Sequence, residues 1–164
     1  MGYFNFIRRF ALTKRTIEQE VRRLAAIEDI KQLKARYCAH CDDNYNPEGI
    51  SNMFVEDGIW DGASFGVHKG KEEIHNFFSG ISGDIVFAGH LVVNPIIDVA
   101  DDAESATGKW WLIMPCTVNE EDKNEARWLL GEYTDEYVCV DGNWMYKSLK
   151  LNLHHFVPYL KGWA

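Results

Sequence analysis

From Thr16 the apolar residues Ile17, Val21, Leu24, Ile27, Ile30, Leu33 and Tyr37 follow one another at intervals of three or four. That period predicts a long amphipathic helix, with the intervening charges on its solvated face. Thr16 has the side chain of an N-cap. Asp42-Asp43-Asn44 and Asn46-Pro47 break the pattern, and Pro47 suits the first turn of a second, shorter helix reaching Phe54. Asp57-Gly58 turns the chain into a short strand at Ile59-Trp60, and 62–67 reads as loop. Gly70-Lys71-Glu72-Glu73 then opens a third helix through Ile74, Phe77 and Phe78. After Gly83 the period shortens to two. The stretches 85–94, 96–99, 106–118, 125–140 and 144–156 are rich in β-branched and aromatic residues and read as strands. Asp141-Gly142 is a two-residue hairpin signal. Helices first and long antiparallel strands afterwards define an α+β chain. The expected architecture is a curved, mostly antiparallel sheet wrapped against three N-terminal helices, enclosing an apolar pocket.

The length, 164 residues, suits one domain, expected over 14–164 with an N-terminal arm at 1–13. There is no internal repeat and no linker composition. Charge is unevenly placed. The chain carries a net −8, but residues 1–36 hold nine basic and four acidic groups, so the remainder is strongly acidic. Such a body repels phosphate backbones, which disfavours nucleic acid as a partner and makes a strongly anionic substrate a poor expectation. No apolar run approaches the roughly 20 residues of a membrane span, so no membrane partner is expected. Arg8 and Arg9 interrupt the aromatic start where a signal peptide would be uniformly apolar. Four cysteines in a chain of this length suit buried free thiols in a reducing compartment. The expected location is cytoplasmic.

Candidate chemistry lies where residues break these patterns. Asp42 sits where the first helix ends, and its charge opposes the negative end of the helix dipole. An ordinary turn aspartate is the bland alternative. His90 interrupts the apolar run Ile85-Val86-Phe87-Ala88-Gly89-His90-Leu91-Val92-Val93, so its imidazole needs a partner. A hydrogen-bonded core histidine is the alternative there. An Asp42–His90 pair would account for both, with the carboxylate orienting the ring and the free nitrogen acting as general base. Tyr37, on the apolar stripe, is either core or a phenol donor to a substrate oxygen. Phe54, Trp60, Phe87, Trp110, Trp111 and Trp128 are the aromatic candidates for walls of a pocket holding a neutral ring. Trp110 and Trp111 must split between faces, one core and one pocket or interface. Lys150 and Asn152 share one face of the last strand with Trp144, Tyr146 and Ser148, which reads as solvent or as a polar pocket wall.

Other signals lead nowhere. Cys38-x-x-Cys41 falls inside a helix, and Cys116 and Cys139 supply no second pair at zinc spacing. His154 and His155 point to opposite faces of a strand. Glycine-rich phosphate loops and nucleophile elbows are both missing from the sequence. No metal and no organic cofactor is expected.

In this order and spacing, several stretches resemble the SnoaL-like branch of the nuclear-transport-factor-2-like superfamily. They are IEDIKQLKARYCAHCD, FVEDGIWDG with GVHKGKEEI, FAGHLVVNPII, and GEYTDEYVCVDGNWMYKSLKL. The similarity spans roughly 27–164 and implies a cone-shaped fold with a deep apolar pocket. Within the branch the pattern is nearest the bile-acid 7α-dehydratases, hexachlorocyclohexane dehydrochlorinases and scytalone dehydratases, which eliminate a small group from a ring without a cofactor. Carried over, the resemblance puts the polar pocket residue on Tyr37, the carboxylate on Asp42 with Asp43 as rival, and the base on His90. The late-strand arginine of the first two enzymes has no counterpart: the nearby positions carry Cys139, Val140, Lys150 and Leu153. The expected activity is a cofactor-independent carbon–oxygen or carbon–halide lyase acting on a small hydrophobic cyclic substrate. An isomerase or polyketide cyclase using the same dyad is the alternative within enzymes. A non-catalytic partner resembling dioxygenase β-subunits is the alternative outside them. A homo-oligomer, dimer or trimer, is expected.

Overall fold

The computed structural model describes residues 15–121 and 123–162; the expected arm at 1–13 lies outside them. Helix α1 runs Ile17–Asp42 and opens as the sequence dictates. Thr16 Oγ1 accepts from the Gln19 amide at 3.2 Å, while the Gln19 side chain accepts from the Thr16 amide at 2.9 Å. This capping box satisfies two of the orphan N–H groups of the first turn. The buried face of α1 comprises Ala26, Ile30, Leu33, Lys34, Tyr37, Cys38 and Cys41. It differs from the predicted stripe at its start, because Ile17, Val21 and Leu24 are exposed, Ile17 to 86%. The basic residues of this region find acidic partners: Arg15 with Asp101, Arg22 with Glu18, Arg23 with Glu20 and Lys31 with Glu28.

Helix α2 is Pro47–Ser51, capped by Asn46, whose side chain accepts from the Gly49 amide. It stops short of Phe54 because strand β1 (Phe54–Asp61) begins there, well before the predicted Ile59. A 3-10 turn at Ala63–Phe65 lies within the expected loop, and strand β2 (Val67–Lys69), which the sequence did not mark, pairs with β1 at its end. Helix α3 is Gly70–Ile81.

The run predicted as one strand over 85–94 is two, β3 (Ile85–Ala88) and β4 (Leu91–Val99), separated at Gly89-His90. Both pair antiparallel with β5 (Ser105–Glu120), β4 along its first half and β3 near its end. Strands β6 (Lys123–Val140) and β7 (Asn143–Pro158) complete the sheet through a hairpin at Asp141-Gly142, both with positive φ as a type I′ turn requires. The span 119–124 between two predicted strands is mostly ladder, with Glu120 paired to Lys123. Sheet order is β2-β1-β7-β6-β5-β3, antiparallel except where β1 runs parallel to β7. The sheet curls into a half-barrel with the helices at its N-terminal side. Alternation on β6 sends Leu129, Gly131, Tyr133, Asp135 and Tyr137 inward.

Register shifts explain where simple alternation misleads. On β7 the pairing passes from Tyr137↔Tyr146 to Glu136↔Ser148, so Lys147 is an extra residue. Such a bulge moves every later side chain to the other face. Trp144 and Tyr146 therefore point into the core, whereas Ser148, Lys150 and Asn152 point away from it. A second shift lies between Ile85 and Phe87 on β3 and leaves both Val86 and Phe87 exposed.

Candidate active site

The cavity is made where the end of α1 faces the concave side of the sheet. Tyr37 and Cys41 come from α1, Tyr45 from the loop after it, Trp60 from β1, and Phe77 and Phe78 from α3. Leu112, Met114, Leu129, Tyr133 and Leu151 form the sheet wall, and His90 closes one side. The cavity is small, with about 40 Å³ free for water-sized molecules, and it opens to solvent. The lining is apolar but for three phenols, one thiol and one imidazole.

Asp42 is the last residue of α1, and the loop beyond it is built to present its carboxylate. The Asp43 amide donates to Ala39 O at 3.0 Å, ending the helix, and Asn44 and Tyr45 follow with φ of 52° and 53°. A left-handed conformation is uncommon for a tyrosine and is held by its surroundings. Here the Tyr45 ring stacks on Phe78 at 6.1 Å and meets the His90 ring edge-on at 6.0 Å. The Asp42 carboxylate spans the break between β3 and β4. Its Oδ1 accepts from the His90 backbone N–H at 3.0 Å and contacts His90 Nδ1 at 2.7 Å. Two donors from one residue fix both the carboxylate and the imidazole plane. With Nδ1 carrying the proton toward Asp42, Nε2 is left as the lone-pair nitrogen, without a hydrogen-bond partner among the described residues. The His90 side chain is 6% exposed and that of Asp42 38%, so the ring is shielded while its carboxylate partner touches solvent. Asp43, the alternative carboxylate, is exposed and is not the one bonded to His90.

Tyr37 is buried, and its hydroxyl accepts from Trp60 Nε1 at 2.8 Å. Burial pushes its ionisation well above the ordinary tyrosine value, so it stays a neutral donor. Its own proton has only the Cys41 sulfur, a weak acceptor, within reach, and a ligand oxygen would outcompete it. Trp60 is wedged between Phe77 at 4.8 Å and Phe78 at 5.2 Å, and Gly62 leaves room for it, since a Cβ there would collide with the indole.

Of the aromatic residues expected on the pocket wall, Trp60 lines it, and the others lie elsewhere. Phe54 is buried in the core, stacked on Tyr146 at 5.0 Å. Trp110 is core, its Nε1 donating to the Tyr137 hydroxyl at 3.1 Å. Phe87 is 58% exposed through the β3 bulge and borders a dent beside Asp42. Trp111 faces outward and stacks on His154, and Trp128 stacks on Tyr159. Lys150 pairs with Asp61 at 3.6 Å on the outer face, where Asn152 donates to Thr134 Oγ1.

Sequence reasoning missed a second polar cluster. Lys34 and Asp135 are both wholly buried, with Nζ and Oδ2 3.0 Å apart. Asp135 Oδ2 also accepts from the Tyr137 hydroxyl at 2.7 Å. Burial raises the Asp135 carboxyl, against the opposing pull of Lys34 and Tyr137. A signal existed: Lys34 is four residues after Ile30 and three before Tyr37, and Asp135 alternates with Tyr133 and Tyr137. Each charge occupies a core position of its own element. Burial also lifts the thiols of Cys38 and Cys116 to about 11, and that of Cys41 well above its usual value. Such thiols are neutral and unreactive. Among the described residues, no three His, Cys, Asp or Glu side chains converge as a metal-ligand set.

The chain matches the SnoaL-like domain family over residues 22–150 and belongs to it. Solved structures share the fold. A candidate scytalone dehydratase from Novosphingobium aromaticivorans is 25% identical, with a TM-score of 0.74 over 85% of this chain and 91% of that one. A type 2 hexachlorocyclohexane dehydrochlorinase is 19% identical, with a TM-score of 0.77 over 85% and 92%. A candidate aromatic ring hydroxylase from Novosphingobium aromaticivorans is 18% identical, with a TM-score of 0.71 over 82% and 96%. No curated protein matches the sequence. No helix among the described residues is long and apolar enough to cross a membrane.

Proposed function

We propose that the protein is a cofactor-independent lyase that eliminates a small group from a neutral, hydrophobic cyclic substrate. The observation that carries this reading is the Asp42–His90 contact of 2.7 Å at the wall of an apolar cavity. His90 Nε2 takes a proton from a ring carbon, and Asp42 steadies the imidazolium that forms. A base so placed supplies roughly 10²–10⁴-fold of rate. The electron pair of the broken C–H bond becomes the new C=C bond as the leaving group departs. Tyr37, neutral and with its hydroxyl oxygen already accepting from Trp60, hydrogen-bonds the leaving group or a carbonyl oxygen. The apolar walls exclude water and hold the ring. Membership of the SnoaL-like family and the likeness to a candidate scytalone dehydratase support a lyase or isomerase type of activity.

A panel of cyclic β-hydroxyketones and chlorinated cyclohexanes tests the reading, with loss of water or halide followed by mass and ion analysis. The wild type is expected to turn over at least one member. His90→Ala and Asp42→Asn are expected to lower that turnover by ~10²–10⁴-fold with thermal unfolding little changed. Full activity in either variant sinks the mechanism. A product of unchanged mass assigns the dyad to isomerisation or cyclisation instead.

The quaternary reading is a homo-oligomer. On the outer face of β4 and β5, Leu91 opposes Ile113 and Val93 opposes Trp111, and all four are substantially exposed. Contiguous apolar surface of this kind suits subunit contact. A monomeric mass by equilibrium sedimentation overturns it.

A further inference from the structure

Neither Lys34 nor Asp135 lines the pocket, but Tyr133, which does, packs against Lys34. Lys34 Nζ stands 3.4 Å from the centre of the Tyr133 ring, with the rings of Tyr37, Tyr146 and Trp110 at 5.2, 5.8 and 6.0 Å. An ammonium boxed by aromatic faces gives up hydration and is held by their negative π-surfaces. Its one carboxylate partner, Asp135, shares its charge with the Tyr137 hydroxyl, which in turn accepts from Trp110. The pair is thus a fixed dipole with its positive end against Tyr133.

Tyr133 lines the cavity beside Tyr37, the two rings edge-on at 6.3 Å, and its hydroxyl has no hydrogen-bond partner among the described residues. Burial, with the Asp135 charge pushing the same way, keeps the phenol protonated, so it is a donor and Lys34 works against that charge from the ring face. A cation on the face of a phenol draws electron density from the ring and strengthens the O–H as a donor. In a dry interior that field is weakly screened. The chain has spent two fully buried charges to set up this arrangement, a costly device where an apolar pair would pack as well.

We propose that Tyr133 is a second substrate-oxygen donor, acting with Tyr37, and that Lys34 is a positioning residue that sharpens it for an oxygen gaining negative charge. This rests on the elimination reading and narrows it to ring substrates carrying a carbonyl. His90 takes the α-proton and the C–H electron pair delocalises onto the carbonyl oxygen, held by Tyr133. Return of that pair forms the C=C bond and expels the β-hydroxyl. The hydroxyl leaves as water with the proton returned by His90.

The probe is 4-nitrophenol, whose absorbance separates its neutral and ionised forms. The wild type is expected to favour the ionised form, moving the bound probe's titration to lower pH. Tyr133→Phe is expected to reduce that preference about tenfold, equivalent to ~1.4 kcal/mol. Lys34→Met with Asp135→Asn removes both charges together and is expected to give the same loss while the neutral form binds as before. Adding Tyr133→Phe to that double variant should cost little more, because Lys34 acts through Tyr133. Should the charge-pair variant fail to fold, Tyr133→Phe decides alone. An unchanged preference in Tyr133→Phe, or no preference in the wild type, overturns the proposal. His90→Ala separates the two readings. It is expected to lower elimination by ~10²–10⁴-fold while leaving a Tyr133-dependent preference for the ionised probe. If His90→Ala retains turnover, the general-base reading fails and the oxygen-donor assignment stands or falls on the probe.

Discussion

The indole N–H of Trp60 reaches the Tyr37 hydroxyl at 2.8 Å, and that contact decides which way the phenol proton can point. With one lone pair engaged by Trp60, the hydroxyl is steered to donate elsewhere. Trp60→Phe keeps an aromatic ring between Phe77 and Phe78 but removes the donor. The variant is expected to lose about 1–3 kcal/mol, from a buried oxygen left without its partner and a partly filled site. Urea denaturation checks this, and an unchanged midpoint would show that the hydrogen bond is not holding the wall. Asp42 and His90 were legible in the sequence because each contradicts its setting, a carboxylate at a negative helix end and an imidazole in an apolar run. Lys34 was hidden by the charges around it. Flanked by Lys31 and Arg36, it reads as one more solvated residue until its spacing to Ile30 and Tyr37 is weighed alone.

At the scale of elements, α1 carries Tyr37 and Asp42 at its far end, some 20 residues from its capping box. The start of the helix projects past the core, with Ile17, Val21 and Leu24 exposed, so it leans on its cap rather than on packing. Thr16→Ala is expected to cost ~1 kcal/mol, read as fraying of the first turns by hydrogen exchange, with the Asp42–His90 contact and turnover intact. Loss of activity in that variant would mean the whole helix moves as one lever. Both ends of α1 and the hairpin were readable because caps and turns are local chemistry. The faces of β3 and β7 were not, because a bulge is fixed by pairing between strands. Counting by twos along β7 joins Lys150 and Asn152 to Tyr146, but the extra residue at Lys147 separates them. The aromatic wall was misassigned for a related reason. Composition shows that aromatic residues are plentiful, while only the register shows which of them face inward.

Across the whole molecule, the buried titratable groups share one tendency. Cys38, Cys41 and Cys116, together with Tyr37, Tyr45, Tyr133, Tyr137 and Tyr146, all have their ionisation pushed upward, with burial the first cause in each. The unfolded chain releases these protons near the ordinary values of 9.0 for a thiol and 10.0 for a phenol, while the folded chain retains them. The folded state therefore binds more protons above about pH 9, and stability must fall as pH rises. Each group contributes up to about 1.4 kcal/mol per pH unit once it is ionised in the unfolded chain only. The stabilisation is fully present below pH 9. For Cys38 and Cys116 it is lost as the pH passes through about 11. A steep drop in urea midpoint between pH 9 and 11 is expected, together with resistance of these three thiols to alkylation at pH 8 until the protein unfolds. A flat alkaline limb would mean that the aromatic interior admits water. In that case the pocket would be too wet to strengthen the hydrogen bonds on which the proposed elimination depends.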